Sequence, residues 1–217
     1  MASKVLVMGS FVADLAFRAA RLPAWGETLM GDSFALGPGG KGSNQAVAAA
    51  RAGARVQFLS KLGDDAFGTL ARDTWAADGI DAALVATCAT ATGAAAILID
   101  AVRGENAIIV VPGACFTLTP AEVDAAAEAI RAAKVFLTQL ELPLDAVERG
   151  LRIAREAGVA TILNPAPVPG SKSSESPPPA QSSTLAPPHP SAAPTAPETP
   201  PPPGSNPPPH PPPPASS

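Results

Sequence analysis

A glycine-rich turn that runs into an alanine-rich segment carries the strongest chemical signal in this sequence. Residues 37–43 read Gly-Pro-Gly-Gly-Lys-Gly-Ser, and Ala46 to Ala52 is a predicted helix. Glycines have no Cβ, so the backbone can take positive φ and bring its N–H groups close to a ligand. The helix N-terminus adds unpaired N–H groups and the positive end of its dipole. Lys41 supplies a charge and Asn44 an amide, so the stretch suits a polyhydroxylated or anionic ligand.

Two carboxylates each follow a predicted strand. Asp14 comes after the apolar run Lys4 to Met8, and Glu141 comes after Val135 to Leu140. Because open α/β sheets bind ligands at the carboxyl ends of their strands, we expect both carboxylates at one rim. On the residues alone, Asp14 could instead form an Asx turn, and Glu141 could cap the next helix.

Other polar residues near these strands have equally ordinary explanations. Lys41 is followed by Gly42 rather than Ser or Thr, which excludes a Walker A loop, and it could be a solvated surface lysine. Asn164 follows the predicted strand Val159 to Leu163 and could be either a ligand contact or a loop former before Pro165.

The elements that must position these residues alternate between strand and helix. Such alternation predicts a parallel sheet with right-handed crossovers. The string Thr119-Pro120-Ala121-Glu122 predicts a capped helix start. The predicted elements are strand Val56 to Leu59, helix Ala66 to Ala77, helix Pro120 to about Ala133, strand Val135 to Leu140, helix Pro143 to Ala157 and strand Val159 to Leu163.

Two regions predict hairpin strands outside that sheet. The first is irregular, from Leu15 to Phe34, with short segments such as Glu27 to Met30. The second is the pair Ala94 to Asp100 and Asn106 to Val111, whose connection has hairpin length.

The spacing beyond the glycine turn resembles the N-terminal signature of the ribokinase-like (PfkB) family of sugar kinases, with the ribokinases as its nearest members. Asn44 and Ala46 are followed by Gly53, then Gly63, and the string Asp64-Asp65-Ala66-Phe67-Gly68 comes directly after. The resemblance runs from about Val5 to Pro167. It also includes Gly9-Ser10, Asp14, Gly26-Glu27-Thr28, Gln139-Leu140-Glu141 and Asn164-Pro165-Ala166-Pro167.

The resemblance implies both a fold and a site. The implied fold is an α/β Rossmann-like parallel sheet with flanking helices and a small β lid, in which Trp25 is either lid core or subunit contact. It implies a small-molecule sugar as partner, ATP and Mg²⁺ as cofactors, and a homodimer formed through the lid. The implied sugar-binding residues are Asp14, Gly40, Lys41, Asn44 and Glu141.

The sequence departs from the family in two places. Ribokinases carry Asn two residues before the Asp14 position, where this chain has Val12. The family's catalytic Asp lies in a Gly-x-Gly-Asp motif, and the 217 residues contain no such string. We therefore assign no catalytic residue and expect a truncated, inactive kinase. The alternative is a non-catalytic sugar-binding or interaction module with a proline-rich docking tail.

Composition divides the chain into two parts. Residues 1–170 are rich in Ala, Val, Leu and Ile and are expected to form the incomplete α/β domain with its lid. Residues 171–217 are dominated by Pro, Ser and Ala, which predicts a disordered tail of polyproline II character.

Bulk properties exclude several classes of protein. A net charge of −4 gives no basic footprint for nucleic acid. No window approaches the ~20 apolar residues of a membrane span. The two cysteines, Cys88 and Cys115, are too far apart for a zinc motif. A cytoplasmic protein is the resulting expectation.

Overall fold

The computed structural model describes residues 4–167. The predicted tail, residues 171–217, lies outside the described residues. Within residues 4–167, the strands are β1 (Lys4–Met8), β2 (Val12–Ala19), β3 (Ser33–Gly39), β4 (Arg55–Gly63), β5 (Asp81–Cys88), β6 (Thr92–Asp100), β7 (Asn106–Gly113), β8 (Val135–Gln139) and β9 (Ala160–Asn164). The helices are α1 (Lys41–Arg51), α2 (Ala66–Ala77), α3 (Pro120–Ala125), α4 (Ala127–Arg131) and α5 (Leu144–Glu156), with a 3₁₀ turn at Ala114–Thr117.

The main sheet has five parallel strands in the order β5-β4-β1-β8-β9. Its central strand β1 is covered on both faces, which explains why its sequence is a continuous apolar run. Leu6 and Met8 pack in a cluster with side chains of α3, α4 and α5, whereas Val7 packs with side chains of α1 and α2. The predicted parallel α/β sheet with flanking helices is confirmed.

A second sheet forms the lid, with strands in the order β3-β2-β6-β7. The predicted hairpin is present as the antiparallel pair β6–β7. The prediction of a strand at Glu27 to Met30 is wrong. Instead, the Glu27 side chain accepts hydrogen bonds from Arg21 and from the backbone N–H of Ala24, which closes a loop. Trp25 is fully exposed in that loop, which excludes the lid core as its environment.

Several element boundaries differ from the predictions, and three differences have a clear physical reason. Helix α1 begins at Lys41 rather than Ala46, because residues 37–39 belong to β3 and only Gly40 forms the turn. The helix predicted from Pro120 to Ala133 is two helices, since a 3₁₀-type bond from Ala126 N to Val123 O interrupts it. Strand β5 was not predicted, because it is an edge strand with few buried side chains and a weak apolar pattern.

The main sheet also has an edge at β9. Among residues 4–167 this strand pairs with one neighbour, β8. Ile162 and Leu163 are 51% and 43% exposed there, although both lie in a parallel sheet. Exposed apolar side chains on an open strand edge are unusual in a parallel sheet, whose strands are normally covered.

The motif around Asp65 joins the lid to the main sheet. The Asp65 carboxylate caps α2 by accepting from Gly68 N (2.8 Å), and its other oxygen accepts from Thr92 N (2.7 Å) at the start of β6. Thr92 Oγ1 in turn accepts from Gly63 N at 2.9 Å. The charged string after Gly63 therefore has a structural role: one carboxylate fixes the first residue of a lid strand to the first turn of a core helix.

Burial would raise the pKa of Asp65, but the hydrogen bonds from Thr92 and Gly68 outweigh burial and hold the pKa below its ordinary value. A depressed pKa means that the carboxylate stabilises the fold at pH values above about 4, its unfolded pKa. That stabilisation is lost as the pH falls through the lower, folded-state pKa.

We predict that Asp65→Asn lowers the free energy of unfolding at pH 7 by about 1–2 kcal/mol, because charge-assisted bonds to two backbone N–H groups are weakened. The difference from the unchanged protein should shrink as the pH is lowered towards 3. Urea unfolding at several pH values measures this. The control is Asp64→Asn, which alters the exposed neighbouring carboxylate; an equal loss in both variants would contradict the assignment.

Candidate functional site

The side chain of Glu141 holds three segments of the chain together at one rim of the main sheet. Glu141 lies two residues after β8. Its Oε2 accepts from the Ser10 hydroxyl, which follows β1, and from the backbone N–H of Lys41 at 2.9 Å. Its Oε1 accepts from Lys41 Nζ, also at 2.9 Å. The carboxylate therefore sits at the N-terminus of α1, where the helix dipole favours negative charge.

These contacts keep Glu141 ionised. Burial would raise the pKa of Glu141, but hydrogen bonds from Ser10 and from Lys41 outweigh burial and hold the pKa below its ordinary value. The carboxylate is still partly accessible, with 22% of its side-chain surface exposed. Glu141 is therefore a fixed anion that retains accessible surface at the rim.

Asp14 supplies a second carboxylate from the lid. It lies on β2, and burial raises its pKa, with repulsion from Glu141 adding to the rise and Lys41 opposing it. Its carboxylate lies so close to Gly39 that a Cβ on that residue would collide with both oxygens. Asp14 therefore lies close enough to Glu141 and Lys41 for both charges to act on it, and the three side chains carry a net negative charge when both carboxylates are ionised.

Gly40 connects the lid to the helix that carries Lys41. Its φ of 87° is in the left-handed region. A Cβ on Gly40 would come within 2.9 Å of backbone atoms of Ser10, Phe11 and Val12. Only glycine fits, and the tight approach brings the first turn of α1 against the loop between β1 and β2.

The structure brings Asp14, Gly40, Lys41 and Glu141 together, and it places Asn44 nearby. Asn44 is exposed in the first turn of α1, where its backbone N–H donates to Gly40 O. Its side chain makes no hydrogen bond among residues 4–167, so it lies beside the cluster without joining it. Asn164 ends β9 in register with Gln139 and makes no hydrogen bond to the cluster within the same range.

Sequence reasoning gave no role to several polar residues at this rim. Ser10 donates directly to Glu141, and Gln139 Nε2 donates to Gln45 Oε1 at 2.6 Å. Ser10 had one usable signal, its position directly after the first strand. Gln139 stood in the family signature without a role, and its contact with Gln45 could not be predicted because the two residues are 94 positions apart in sequence.

Two clefts lie elsewhere on the described residues. One is formed by the far ends of the lid strands and the loop after β2, including Phe17, Leu22 and Leu98. The other lies between β5 and α3 and includes Leu84 and Ala126. The cluster around Glu141 remains the better candidate for a ligand site, because it groups two carboxylates with shifted pKa values.

None of the helices in residues 4–167 is long and apolar enough to cross a bilayer. Within the same residues, no three His, Cys, Asp or Glu side chains are grouped so that they could hold a metal ion.

Known proteins resemble this chain over the same region. It is 40% identical to mouse ribokinase over 167 residues, covering 76% of this chain and 51% of the mouse protein. It is 36% identical to Salmonella typhi deoxyribokinase over 164 residues, covering 75% of this chain and 53% of that protein. The chain therefore spans about half the length of the curated relatives it matches.

Solved structures give the same result. The structure of Arabidopsis thaliana ribokinase complexed with ribose and ATP superposes with a TM-score of 0.69 at 30% identity, over 76% of this chain and 54% of the plant protein. Residues 2–175 match the family model described as pfkB family carbohydrate kinase. With that match covering most of its length, the chain belongs to the pfkB family of carbohydrate kinases.

Proposed function

We propose that this chain is the sugar-holding part of a ribokinase-like kinase and acts in the cytoplasm. The proposed sugar-binding residues are Asp14, Gly40, Lys41, Asn44 and Glu141. The observation that carries the proposal is the anchoring of the Glu141 carboxylate by Ser10 and Lys41, with the Asp14 carboxylate held close by.

The chemistry of the cluster suits a polyhydroxylated ligand. A carboxylate accepts several hydrogen bonds, so Asp14 can receive two neighbouring hydroxyl groups. Lys41 has three N–H donors and uses one on Glu141, which leaves donors for a sugar oxygen. Burial and repulsion from Glu141 raise the pKa of Asp14, and the positive charge of Lys41 opposes that rise.

Phosphoryl transfer needs more than this cluster. In the family that the chain resembles, ATP with Mg²⁺ supplies the phosphoryl group, and the general base is the Asp of a Gly-x-Gly-Asp motif. That motif does not occur in the 217 residues, and the described residues group no three metal-binding side chains. The function proposed for these residues is therefore sugar binding, without phosphoryl transfer.

Lys41→Met tests the sugar site. We expect ribose affinity to fall about tenfold or more, because the variant loses a charged donor and leaves two carboxylates uncompensated. Isothermal calorimetry with ribose measures the change. The matched control is Lys61→Met, which breaks a similar lysine–glutamate pair, with Glu122, that includes none of the proposed sugar-binding residues.

Two results would contradict the proposal. The first is ribose affinity in Lys41→Met equal to that of the Lys61→Met control. The second is ATP-dependent phosphorylation of ribose by the purified 217-residue chain in a coupled assay, which would overturn the claim that it binds sugar without transferring phosphate.

The identity of the sugar depends on Val12. This residue is buried, and it shares a face of β2 with Asp14 because side chains two apart on a strand point the same way. Ribokinases carry an amide at this position, and the relatives include both a ribokinase and a deoxyribokinase. The proposed ligand is therefore ribose or a related sugar, with Val12 deciding which of them is preferred.

Val12→Asn should raise ribose affinity about three- to tenfold, since the new amide can hydrogen-bond a hydroxyl that valine cannot. Calorimetry with ribose and 2-deoxyribose measures the effect. Val12→Ala is the control, because it frees space without adding an amide. Equal affinities in the two variants would remove Val12 from the determinants of specificity.

We also propose that two copies of the chain associate through the lid. The strand register places Phe17, Phe34 and Ile109 on the face of the lid opposite Asp14, here called the outer lid face. These side chains are exposed in the single chain. A second copy is a suitable cover, because an apolar patch of this kind is self-complementary about a twofold axis.

Ile109→Lys should shift the chain from dimer to monomer, because it places a charge in the apolar contact. Size-exclusion chromatography with light scattering measures the mass. The control is Val102→Lys, which adds the same charge at an exposed apolar residue of the β6–β7 turn. A monomeric unchanged protein, or equal masses for both variants, would refute association through this face.

A further inference from the structure

An amide pair lies beneath the Lys41–Glu141 contact. Gln139, the last residue of β8, donates through Nε2 to Oε1 of Gln45 on α1 at 2.6 Å. Gln139 is completely buried, and its own Oε1 has no hydrogen-bond partner among residues 4–167. A Cβ on Gly9 would collide with that oxygen, so the amide is closely packed.

Core stability does not account for a glutamine at this position. An unpaired buried carbonyl oxygen forfeits its hydration without replacement, whereas an apolar side chain of similar size would incur no such penalty. A single hydrogen bond to a partly exposed glutamine offsets only part of that loss. The amide therefore has a role that a leucine or methionine could not perform.

The geometry indicates that role. Gln45 lies four residues after Lys41 on α1, and Gln139 lies two residues before Glu141. Four residues of helix rise about 6 Å, a little more than one turn, so Gln45 lies on the same side of α1 as Lys41. The amide pair and the Lys41–Glu141 pair can therefore form two parallel links between the same helix and the same chain segment.

We propose that Gln139 and Gln45 are positioning residues that fix α1 along β8 so that Lys41 meets Glu141. The amide pair sets the axial position of the helix through a hydrogen bond whose donor, Gln139, is completely buried. The effect expected on sugar affinity rests on the function proposed above. The effect expected on the Glu141 pKa does not.

The test uses Gln139→Leu, Gln45→Leu and the double variant of the full chain. Each should loosen the contacts of Lys41 with Glu141, so the Glu141 pKa should rise, as read from a ¹³C NMR titration with the signal assigned by its loss in Glu141→Gln. Gln139→Leu should also keep or raise the thermal midpoint, since it removes the unpaired oxygen. Ribose affinity should fall about three- to tenfold, the effect of one hydrogen bond.

Two comparisons sharpen the test. Because the amides act as a pair, the double variant should shift the Glu141 pKa no further than either single variant. The matched control is Gln57→Leu, which removes another glutamine with an unpaired buried oxygen and one hydrogen bond, to Asp81, away from the rim. It should leave both the Glu141 pKa and the ribose affinity unchanged.

An unchanged Glu141 pKa in both Gln139→Leu and Gln45→Leu would overturn the inference. If Gln139→Leu does not fold, Gln45→Leu decides the matter, because Gln45 is only partly buried. A raised Glu141 pKa in a chain that binds neither ribose nor 2-deoxyribose supports the positioning role and refutes the proposed sugar site. An unchanged Glu141 pKa in a chain that binds ribose refutes the positioning role and supports the proposed sugar site.

Discussion

One partly buried carboxylate organises the rim of this molecule. Glu141 accepts hydrogen bonds from a hydroxyl after the central strand and from both nitrogens of the first residue of α1. An ionised group in this position is stable only while those donors remain in place, because burial alone would favour its neutral form. The position of the first helix relative to the main sheet is thus tied to the charge of one side chain.

The lid depends on backbone features rather than on a core of its own. The chain enters the lid after β1 and leaves it through Gly40, which has a positive φ. The hydrogen bond from Thr92 N to Asp65 is a second attachment of the lid to the main sheet. Both faces of its outer strands expose apolar side chains, including Ile108 and Ile109. A four-stranded sheet of this kind owes its order to these points of attachment and to whatever covers it.

The sequence contained enough information for the main architecture and for the charged members of the rim. The apolar runs of β1 and β8 and the capping box of Thr119 and Glu122 are local patterns, and the structure has each of them. Strand β5 escaped prediction because an exposed edge strand has little apolar periodicity. The glutamine pair was not predicted, because its two residues belong to distant segments and no local pattern indicates that they are in contact.

The rim is divided between two sheets: Asp14 belongs to the lid, whereas Lys41 and Glu141 are held on the main sheet. A ligand bonded to Asp14 and Lys41 together would therefore cross-link the sheets and reduce their relative motion. Thermodynamic linkage makes this effect reciprocal. Whatever restrains the lid beforehand, whether the bond to Thr92 or a neighbouring copy, lowers the entropy that the ligand must remove. The affinity of such a ligand would consequently depend on the rigidity of the lid as much as on the polar groups that touch the ligand.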